Sequence, residues 1–266
     1  MKRVFLFLMI VGLAIMNVFS QKRENRPVSG FTGIDASGIF DVTVTKGSTE
    51  TLAIEAEDEV MQYVRSEVRN GTLQLYLDSG NKLRNVKGLK AFVTMKDLVK
   101  VTLSGVCKLT ANDLFSPNKF KSDCSGASKL IVNINTNQLD IEMSGASNTQ
   151  IKASVSGDVN LNMSGVSKIQ GELKATNVTV NSSGVSSIEL TGSANNINVD
   201  VSGTSKVNAE NLEVKNANVK SSGTSVVNVN ASDALKVNSS GAASVNYKGS
   251  PTLDVSNSRA AKVRKM

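Results

Sequence analysis

The sequence predicts an all-β protein whose C-terminal two thirds form a single-stranded parallel β-helix with about 19 residues per rung. Three observations predict this fold. Ser-Gly pairs recur at nearly constant spacing, apolar and polar residues alternate on both sides of each pair, and the composition favours strands and tight turns. Trp and His are absent, aromatic residues make up 4% of the chain, and Val, Ile, Asn, Ser, Thr and Gly are abundant.

The Ser-Gly pairs define the repeat. Their glycines are Gly105, Gly126, Gly145, Gly165, Gly184, Gly203, Gly223 and Gly241, at spacings of 21, 19, 20, 19, 19, 20 and 18 residues. A ninth unit at Ser258 to Val263 has Arg259 in the glycine place. Self-similarity at this period is typical of solenoids, in which each unit buries its apolar face only against its neighbours.

Apolar positions recur at fixed offsets from each glycine. Residues four and six before it and four after it are nearly all apolar, whereas those three and five before it are mostly polar. Each unit therefore reads strand, Ser-Gly bend, strand and short polar loop. We expect the residue directly after the glycine to pack inside the corner and the next one to point outward. A right-handed coil is favoured, since a left-handed β-helix needs an aliphatic residue at every sixth position and near-strict 18-residue turns.

The chain divides into four segments. Residues 1–20 have the features of a signal peptide, with Lys2 and Arg3 before the apolar run Val4 to Phe19, and cleavage is expected after Ser20. Residues 21–30 are expected to be a flexible N-terminus, 31–98 a β-rich cap with the first strands, and 99–266 the solenoid. We expect the mature chain to be exported to the periplasm, cell surface or medium without membrane insertion.

Within the cap, Asn70-Gly71 predicts a tight hairpin turn. The stretch from Asp58 to Val68 fits either a short helix or a strand. The cap is expected to cover the open end of the first rung, whose backbone would otherwise be unpaired.

Several of these segments resemble a known family, the "putative auto-transporter adhesin, head GIN domain" family of exported bacterial proteins, abundant in Bacteroidetes. The resemblance rests on Phe31 to Gly38, Phe40 to Gly47, the turn Asn70 to Leu73 and the Ser-Gly ladder. It covers nearly the whole mature chain, and it implies a β-helical fold with an adhesive or surface role. It supplies no catalytic residues, and no membrane barrel follows the repeat in this sequence.

The composition argues against an enzyme. Without His, the commonest general base, the His-containing triads and the usual zinc ligands are missing. The scattered charges, +5 net after cleavage, and the few aromatics do not indicate nucleic-acid binding. We assign no catalytic, cofactor-binding or metal-binding residues and no cofactor.

Stacked carboxylates are the place where an enzyme or calcium site would appear. Asp123 and Glu142 occupy equivalent outward positions on consecutive rungs, and Asp140 lies two residues before Glu142. Such a cluster could act as an acid-base pair of a polysaccharide lyase or hydrolase, or bind calcium. The favoured interpretation is a solvated face with cross-strand pairing, in which Lys100, Lys121 and Asp140 form an outward ladder of mixed charge beside Thr102, Asp123 and Glu142.

A second ladder carries lysines three residues after the corner. Its members are Lys108, Lys129, Lys168, Lys206 and Lys262, with Asn148, Ser187, Val226 and Ser244 between them. This stripe could bind sulfated or sialylated glycans, but it is also what keeps a sheet face soluble and discourages edge pairing. We favour the second interpretation at this stage.

The two cysteines are expected to remain unpaired. Cys124 lies on the predicted inward row, whereas Cys107 lies on the row predicted to point outward, so their side chains should diverge. The leading functional hypothesis is a non-enzymatic envelope or surface rod that contacts glycans or envelope or host surface proteins. The alternatives are a carbohydrate-active β-helix enzyme and a periplasmic scaffold or signalling module.

Overall fold

The computed structural model of the protein describes residues 21–78 and 88–266, so the expected signal peptide lies outside the described residues. The described chain is 70% strand and 2% helix. Its elements are β1 (Gln21–Arg26), β2 (Gly33–Gly38), β3 (Asp41–Lys46), β4 (Thr51–Glu57), α1 (Asp58–Met61), β5 (Val64–Arg69), β6 (Thr72–Leu77), β7 (Lys90–Met95), β8 (Lys100–Gly105), β9 (Lys108–Phe115), β10 (Lys119–Cys124), β11 (Lys129–Thr136), β12 (Gln138–Met143), β13 (Asn148–Val155), β14 (Asp158–Met163), β15 (Lys168–Ser182), β16 (Ser187–Val201), β17 (Lys206–Ser221), β18 (Val226–Ser239), β19 (Ser244–Lys248), β20 (Thr252–Asn257) and β21 (Lys262–Lys265).

Equivalent strands of successive rungs pair in parallel, which confirms the predicted β-solenoid. The first strands stack in the order β8, β10, β12 and β14, and the second strands in the order β9, β11 and β13. From β15 to β18, the second strand of one rung and the first strand of the next join into continuous strands of 14–16 residues. The repeat therefore places like residues one strand spacing apart, about 4.8 Å.

The inward rows follow the predicted alternation. Every residue four before and four after a corner glycine is buried, from Val101 and Leu109 to Val237 and Val245. The row six before the glycine is also buried, except that Val99 is 37% exposed. The chain enters this rung before strand β8 begins, and Leu98, fully buried, takes the interior place.

The corner itself contradicts the prediction. The residue directly after each glycine is exposed, with Val106 and Val166 at 64% and Val185 at 54%, whereas the residue two after it is buried. The alternation of inward and outward residues continues through the bend. Residues two and four positions from the glycine therefore face inward on both sides of it. Four of the buried serines donate their hydroxyls to the carbonyl three residues earlier, as Ser147 does to Ser144 at 2.6 Å. Ser128 donates to the Ser147 hydroxyl instead, and the Ser186 hydroxyl has no partner among the described residues.

The corner glycines pack backbone against backbone. Gly165 has φ +74°, and a Cβ placed on it would lie 2.6 Å from the carbonyl oxygen of Gly145, the corner glycine of the preceding rung. Such a contact is shorter than real Cβ atoms show, and left-handed φ values are costly for residues with side chains. Glycine is therefore required here for two reasons, namely its left-handed backbone conformation and the close approach of neighbouring rungs.

The N-terminal part contains a rung of the same type, which the period search did not find. Strands β2 and β3 pair in parallel with β8 and β9, and Gly38 is aligned with Gly105. Ser37-Gly38 is thus the first corner of the solenoid. Strands β6 and β7 then pair with the opposite edges of β2 and β3, so they form a rung that precedes them in space although it follows them in the chain.

Antiparallel strands and a short helix cover the end of this rung. Strand β5 pairs with β6, β4 with β7, and β1 with β4. Asn70 and Gly71 both have positive φ, +49° and +71°, as the two-residue hairpin turn requires. The stretch from Asp58 to Val68 contains both expected structures, helix α1 and most of strand β5.

The expected flexible N-terminus is instead partly a strand. Residues 21–26 form β1, which pairs with β4 along its whole length from Gln21 opposite Glu57 to Arg26 opposite Leu52. The strand is held because Arg26 donates to the Val64 carbonyl at 2.8 Å and Arg23 lies 4.9 Å from the centre of the Phe92 ring. Among the described residues, none of the helical structure is long and apolar enough to cross a bilayer.

Replacing Gly165 with Ala should destabilise the solenoid far more than replacing Gly30 with Ala. Both glycines have φ near +75°, so both variants suffer about 1–2 kcal/mol of left-handed strain. A Cβ on Gly30 meets nothing within 4 Å, whereas one on Gly165 must push two rungs apart. We expect an excess loss of about 1–3 kcal/mol in Gly165→Ala, measured by denaturant unfolding. Equal losses in the two variants would contradict the close packing of the corners.

Candidate binding faces of the solenoid

A long groove crosses the rungs on the face formed by the first strands. It has a volume of about 540 Å³ and extends from Thr102 to Asp200. Its rim consists of the residues three before each corner glycine and of the exposed serines next to the corners. The residues three before the glycines are Thr102, Asp123, Glu142, Asn162, Asn181 and Asp200.

The floor of the groove is less polar than its rim. It is formed by inward-row residues two before the glycines, namely Cys124, Met143, Met163 and Ser182. Each is 2–6% exposed, so the core side chains reach the bottom of the groove without opening into a cavity. A polar rim over an apolar floor suits a ligand that has hydroxyl groups at its edges and C–H groups on its faces.

The acidic residues of the groove lie where the sequence placed them. Asp123 is directly opposite Glu142 in the pairing of β10 with β12, and Lys121 is opposite Asp140. The Lys121 Nζ lies 3.0 Å from Glu142 Oε1 and 3.6 Å from Asp123 Oδ1. Asp140 pairs with Lys119 at 2.7 Å. This arrangement is the mixed-charge ladder that the sequence favoured.

The pKa values of the two adjacent carboxyl groups are shifted in opposite directions. The hydrogen bond from Lys121 holds the pKa of Glu142 below its ordinary value, and the same bond raises the pKa of Lys121. Partial burial raises the pKa of Asp123, and its contact with Glu142 adds to the increase, although Lys121 opposes both. The two carboxyl groups therefore share one lysine.

Asp140 lies deeper in the sheet surface, with its side chain 17% exposed. Burial alone would raise the pKa of Asp140, but it accepts hydrogen bonds from Asn160, Lys119 and Gln138, and the pKa lies below its ordinary value. The Asn160 bond is 2.8 Å long. The Asp140 carboxylate is thus a hydrogen-bond acceptor that stabilises the sheet surface. Within residues 21–78 and 88–266, no three carboxylate or thiol side chains are grouped so that they could hold a metal ion.

The lysine stripe forms a straight column on the face of the second strands. Its members are aligned by the pairing of successive second strands, from Lys108 opposite Lys129 to Ser244 opposite Lys262. Lys108 pairs with Asp41 at 3.4 Å. In the described part of the chain, Lys129, Lys168 and Lys206 form no ion pair.

Both cysteines are free and buried, with Cys107 1% and Cys124 2% exposed. The expectation that Cys107 points outward is wrong, because the row two after the glycine faces the core. Cys107 occupies a place that serine fills in most other rungs, and the Cys124 thiol lies beside the hydroxyls of Ser128 and Thr149. Burial raises the pKa of each thiol to about 11. The cysteines therefore act as small core residues.

Comparison with known proteins identifies the family. The sequence profile of the family described as "putative auto-transporter adhesin, head GIN domain" matches this chain twice, over residues 30–157 and 149–251. The chain belongs to this family. The two matches overlap within the repeat, which agrees with a head GIN fold built of near-identical rungs. No curated protein matches the sequence.

Solved structures share the fold. A crystal structure of a "putative adhesin" from Parabacteroides merdae has a TM-score of 0.67 at 16% identity, over 92% of this chain and 96% of the other. The crystal structure of a "putative adhesin" from Parabacteroides distasonis has a TM-score of 0.65 at 20% identity, over 93% of this chain and 97% of the other. The crystal structure of a "putative lipid binding protein" from the same species also has a TM-score of 0.65, at 18% identity over 92% of this chain and 96% of the other. At these identities the likeness shows the head GIN fold alone.

The cysteines should resist alkylation in the folded protein. With a pKa of about 11, the thiolate is on the order of one thiol in a thousand at pH 8, and burial excludes the reagent as well. We expect iodoacetamide to leave both residues unmodified for hours under native conditions and to modify both within minutes in 6 M guanidinium, measured by mass spectrometry. Rapid native labelling of Cys107 would contradict its inward orientation.

Asp140→Asn should weaken the fold in a pH-dependent way. Because the folded-state pKa of Asp140 is lowered, its stabilisation is complete above the unfolded value of about 3.9 and is lost as pH falls through the folded value. We expect a loss of about 1.5–3 kcal/mol at pH 7, the range for hydrogen bonds to a charged group. The difference from the wild type should shrink below pH 4 in denaturant unfolding. A difference that is constant from pH 7 to pH 3 would contradict this role.

Proposed function

We propose that this head GIN protein is a non-enzymatic, exported binding rod that holds extended polysaccharides in the long groove. The observation that carries the proposal is the groove itself, which presents a polar side chain three before the glycine and a serine beside it on consecutive rungs. Carboxylate and amide side chains can each bond two neighbouring hydroxyl groups, and the serine hydroxyls add further donors and acceptors. A linear ligand with a repeating hydroxyl pattern is the class that fits such a surface.

The shallow floor of the groove and the filled interior of the solenoid favour a glycan ligand over a lipid. An acyl chain needs an enclosed apolar cavity, since lipid-sized ligands bury most of their surface. Here the space inside the rungs is filled by core side chains such as Phe120, Leu139 and Leu161, each fully buried. The groove has little depth above the buried residues Met143 and Met163, and a shallow surface of this kind suits the flat face of a sugar.

The family description supports an adhesive role, and the charged and apolar start of the sequence supports export. Asp123 and Glu142 are the residues on which an enzymatic alternative would depend. Their ion pairs with Lys121 fit the binding role, because a ladder of mixed charge accounts for both carboxylates without a reaction.

The test is glycan binding by the mature chain, residues 21–266, and by two matched variants. Asn162→Ala/Asn181→Ala removes an amide pair in the groove that is joined by a 2.9 Å hydrogen bond. Asn228→Ala/Asn246→Ala removes an equivalent pair, joined at 2.8 Å, on the second-strand face. On an array of neutral polysaccharides, we expect the groove variant to lose at least about tenfold in affinity, on the scale of two hydrogen bonds. The control variant should bind as the wild type does.

Two outcomes would contradict the proposal. Equal binding by the two variants, or binding of no glycan by the wild type, would remove the groove as a glycan site. Cleavage of a bound polysaccharide by the wild type, abolished in Asp123→Asn/Glu142→Gln, would replace the binding rod with an enzyme.

A further inference from the structure

The lysine stripe has a regularity that the rest of the surface charge lacks. Lys129, Lys168 and Lys206 stand on alternate rungs, with Asn148 and Ser187 on the rungs between them. The charges therefore repeat at roughly 9.6 Å, twice the strand spacing, along a straight line. The intervening residues are shorter and uncharged, so each ammonium group stands clear of its neighbours.

The rows beside the stripe make it one charge wide. On the corner side lie the exposed residues that follow each glycine, namely Val106, Ala127, Ala146, Val166, Val185 and Thr204. On the other side lies a row two residues further along, of which Gln150 and Gln170 are joined to each other and Gln170 to Glu189. Glu189 is the one carboxylate in this row between Thr110 and Asn246, and it is engaged by Gln170.

A membrane surface or a nucleic-acid duplex would need a broader basic patch. A single line of charges instead fits a single extended polymer chain. From this geometry we propose that the lysine stripe is a second binding site, separate from the long groove. Its ligand class is a linear acidic polysaccharide that advances by about one rung per sugar and carries a carboxylate or sulfate on alternate sugars.

The three unpaired lysines carry the proposal. Lys129, Lys168 and Lys206 supply the attraction, while the amide row offers hydrogen bonds to the sugar hydroxyls on one side. The corner row on the other side presents small side chains that allow the polymer to approach the sheet. Because Lys108 already pairs with Asp41, the site begins at Lys129.

The experiment measures binding of the mature chain to immobilised hyaluronan, which has one carboxylate per disaccharide, at 50 and 300 mM salt. We expect binding that weakens with salt, since exposed charges are screened. Lys129→Ser/Lys168→Ser/Lys206→Ser should lose at least tenfold in affinity. The control Lys96→Ser/Lys174→Ser/Lys215→Ser removes the same net charge from exposed residues in other places and should change affinity less than twofold.

A fourth variant tests the spacing. Lys168→Ser/Ser187→Lys keeps the net charge but moves the central lysine by one rung, so the charges no longer alternate. We expect a several-fold loss of hyaluronan binding, with the unfolding transition unchanged. Equal hyaluronan binding by the two triple variants would show that only net charge matters, and it would overturn the proposal. Equal binding by the fourth variant and the wild type would also overturn it.

Two further probes separate the ligand classes. Vesicles of phosphatidylglycerol and double-stranded DNA are measured at the same salt concentrations. Tighter binding of either one than of hyaluronan, lost in the Lys129/Lys168/Lys206 variant, would overturn the polysaccharide assignment. The groove variant Asn162→Ala/Asn181→Ala should bind hyaluronan normally, so failure of this site and failure of the groove are distinguishable.

Discussion

The contact on which the structure depends is the stacking of each corner glycine on the carbonyl group of the glycine one rung before it. The approach leaves no room for a Cβ, so neighbouring rungs are fixed in one register at every corner. A slip of one residue would turn each strand over and exchange its inward and outward faces. Because the corners prevent such a slip, apolar residues form continuous interior rows, and polar residues form continuous exterior columns.

The alignment of columns determines how charge is distributed. Residues of one column lie about 4.8 Å apart, close enough for side chains of adjacent rungs to bond but too close for like charges to remain unbalanced. The groove resolves this by interleaving Lys121 with Asp123 and Glu142, whereas the amide columns resolve it by neutral ladders such as Asn177, Asn196 and Asn216. From Lys129 to Lys206 the lysine stripe resolves it by spacing, since the rungs between carry no charge there, and Lys108 on the rung next to Lys129 is balanced by Asp41. The same constraint thus produces three surfaces with different chemistry.

Much of this arrangement could be predicted, because a period near 19 and an alternation of two fix the inward rows wherever strands are regular. The corner could not be predicted by residue type. Val and Ala after the glycine suggested burial and Ser suggested exposure, but the alternation continues through the bend and reverses both. Serine is tolerated inside because its hydroxyl bonds a carbonyl of its own turn, as Ser167 does to Ser164 at 2.8 Å. The burial of Cys107 was missed for the same reason.

The Ser37-Gly38 corner was missed because it lies far in sequence from the other corners. Ser37-Gly38 belongs to the repeat, but the cap and a further rung are inserted between it and Gly105, so the period search finds a gap of 67 residues. The antiparallel strands of the cap have no fixed offset from a glycine, and their pairing is decided by the end of the solenoid that they cover.

A rod of this type binds a polymer through the sum of weak contacts on successive rungs rather than through a single pocket. Each rung offers only a few exposed hydrogen bonds or one charge, and such contacts are individually weak in water. Since the rungs are already held in place, successive contacts require little further ordering of the protein, and each one raises the effective concentration for the next. The gain continues only while ligand and rung spacings remain matched, because a mismatch accumulates with every rung. Selectivity then resides in the repeat distance, which the glycine corners set, and the identity of the column residues decides whether a neutral or an anionic polymer is bound.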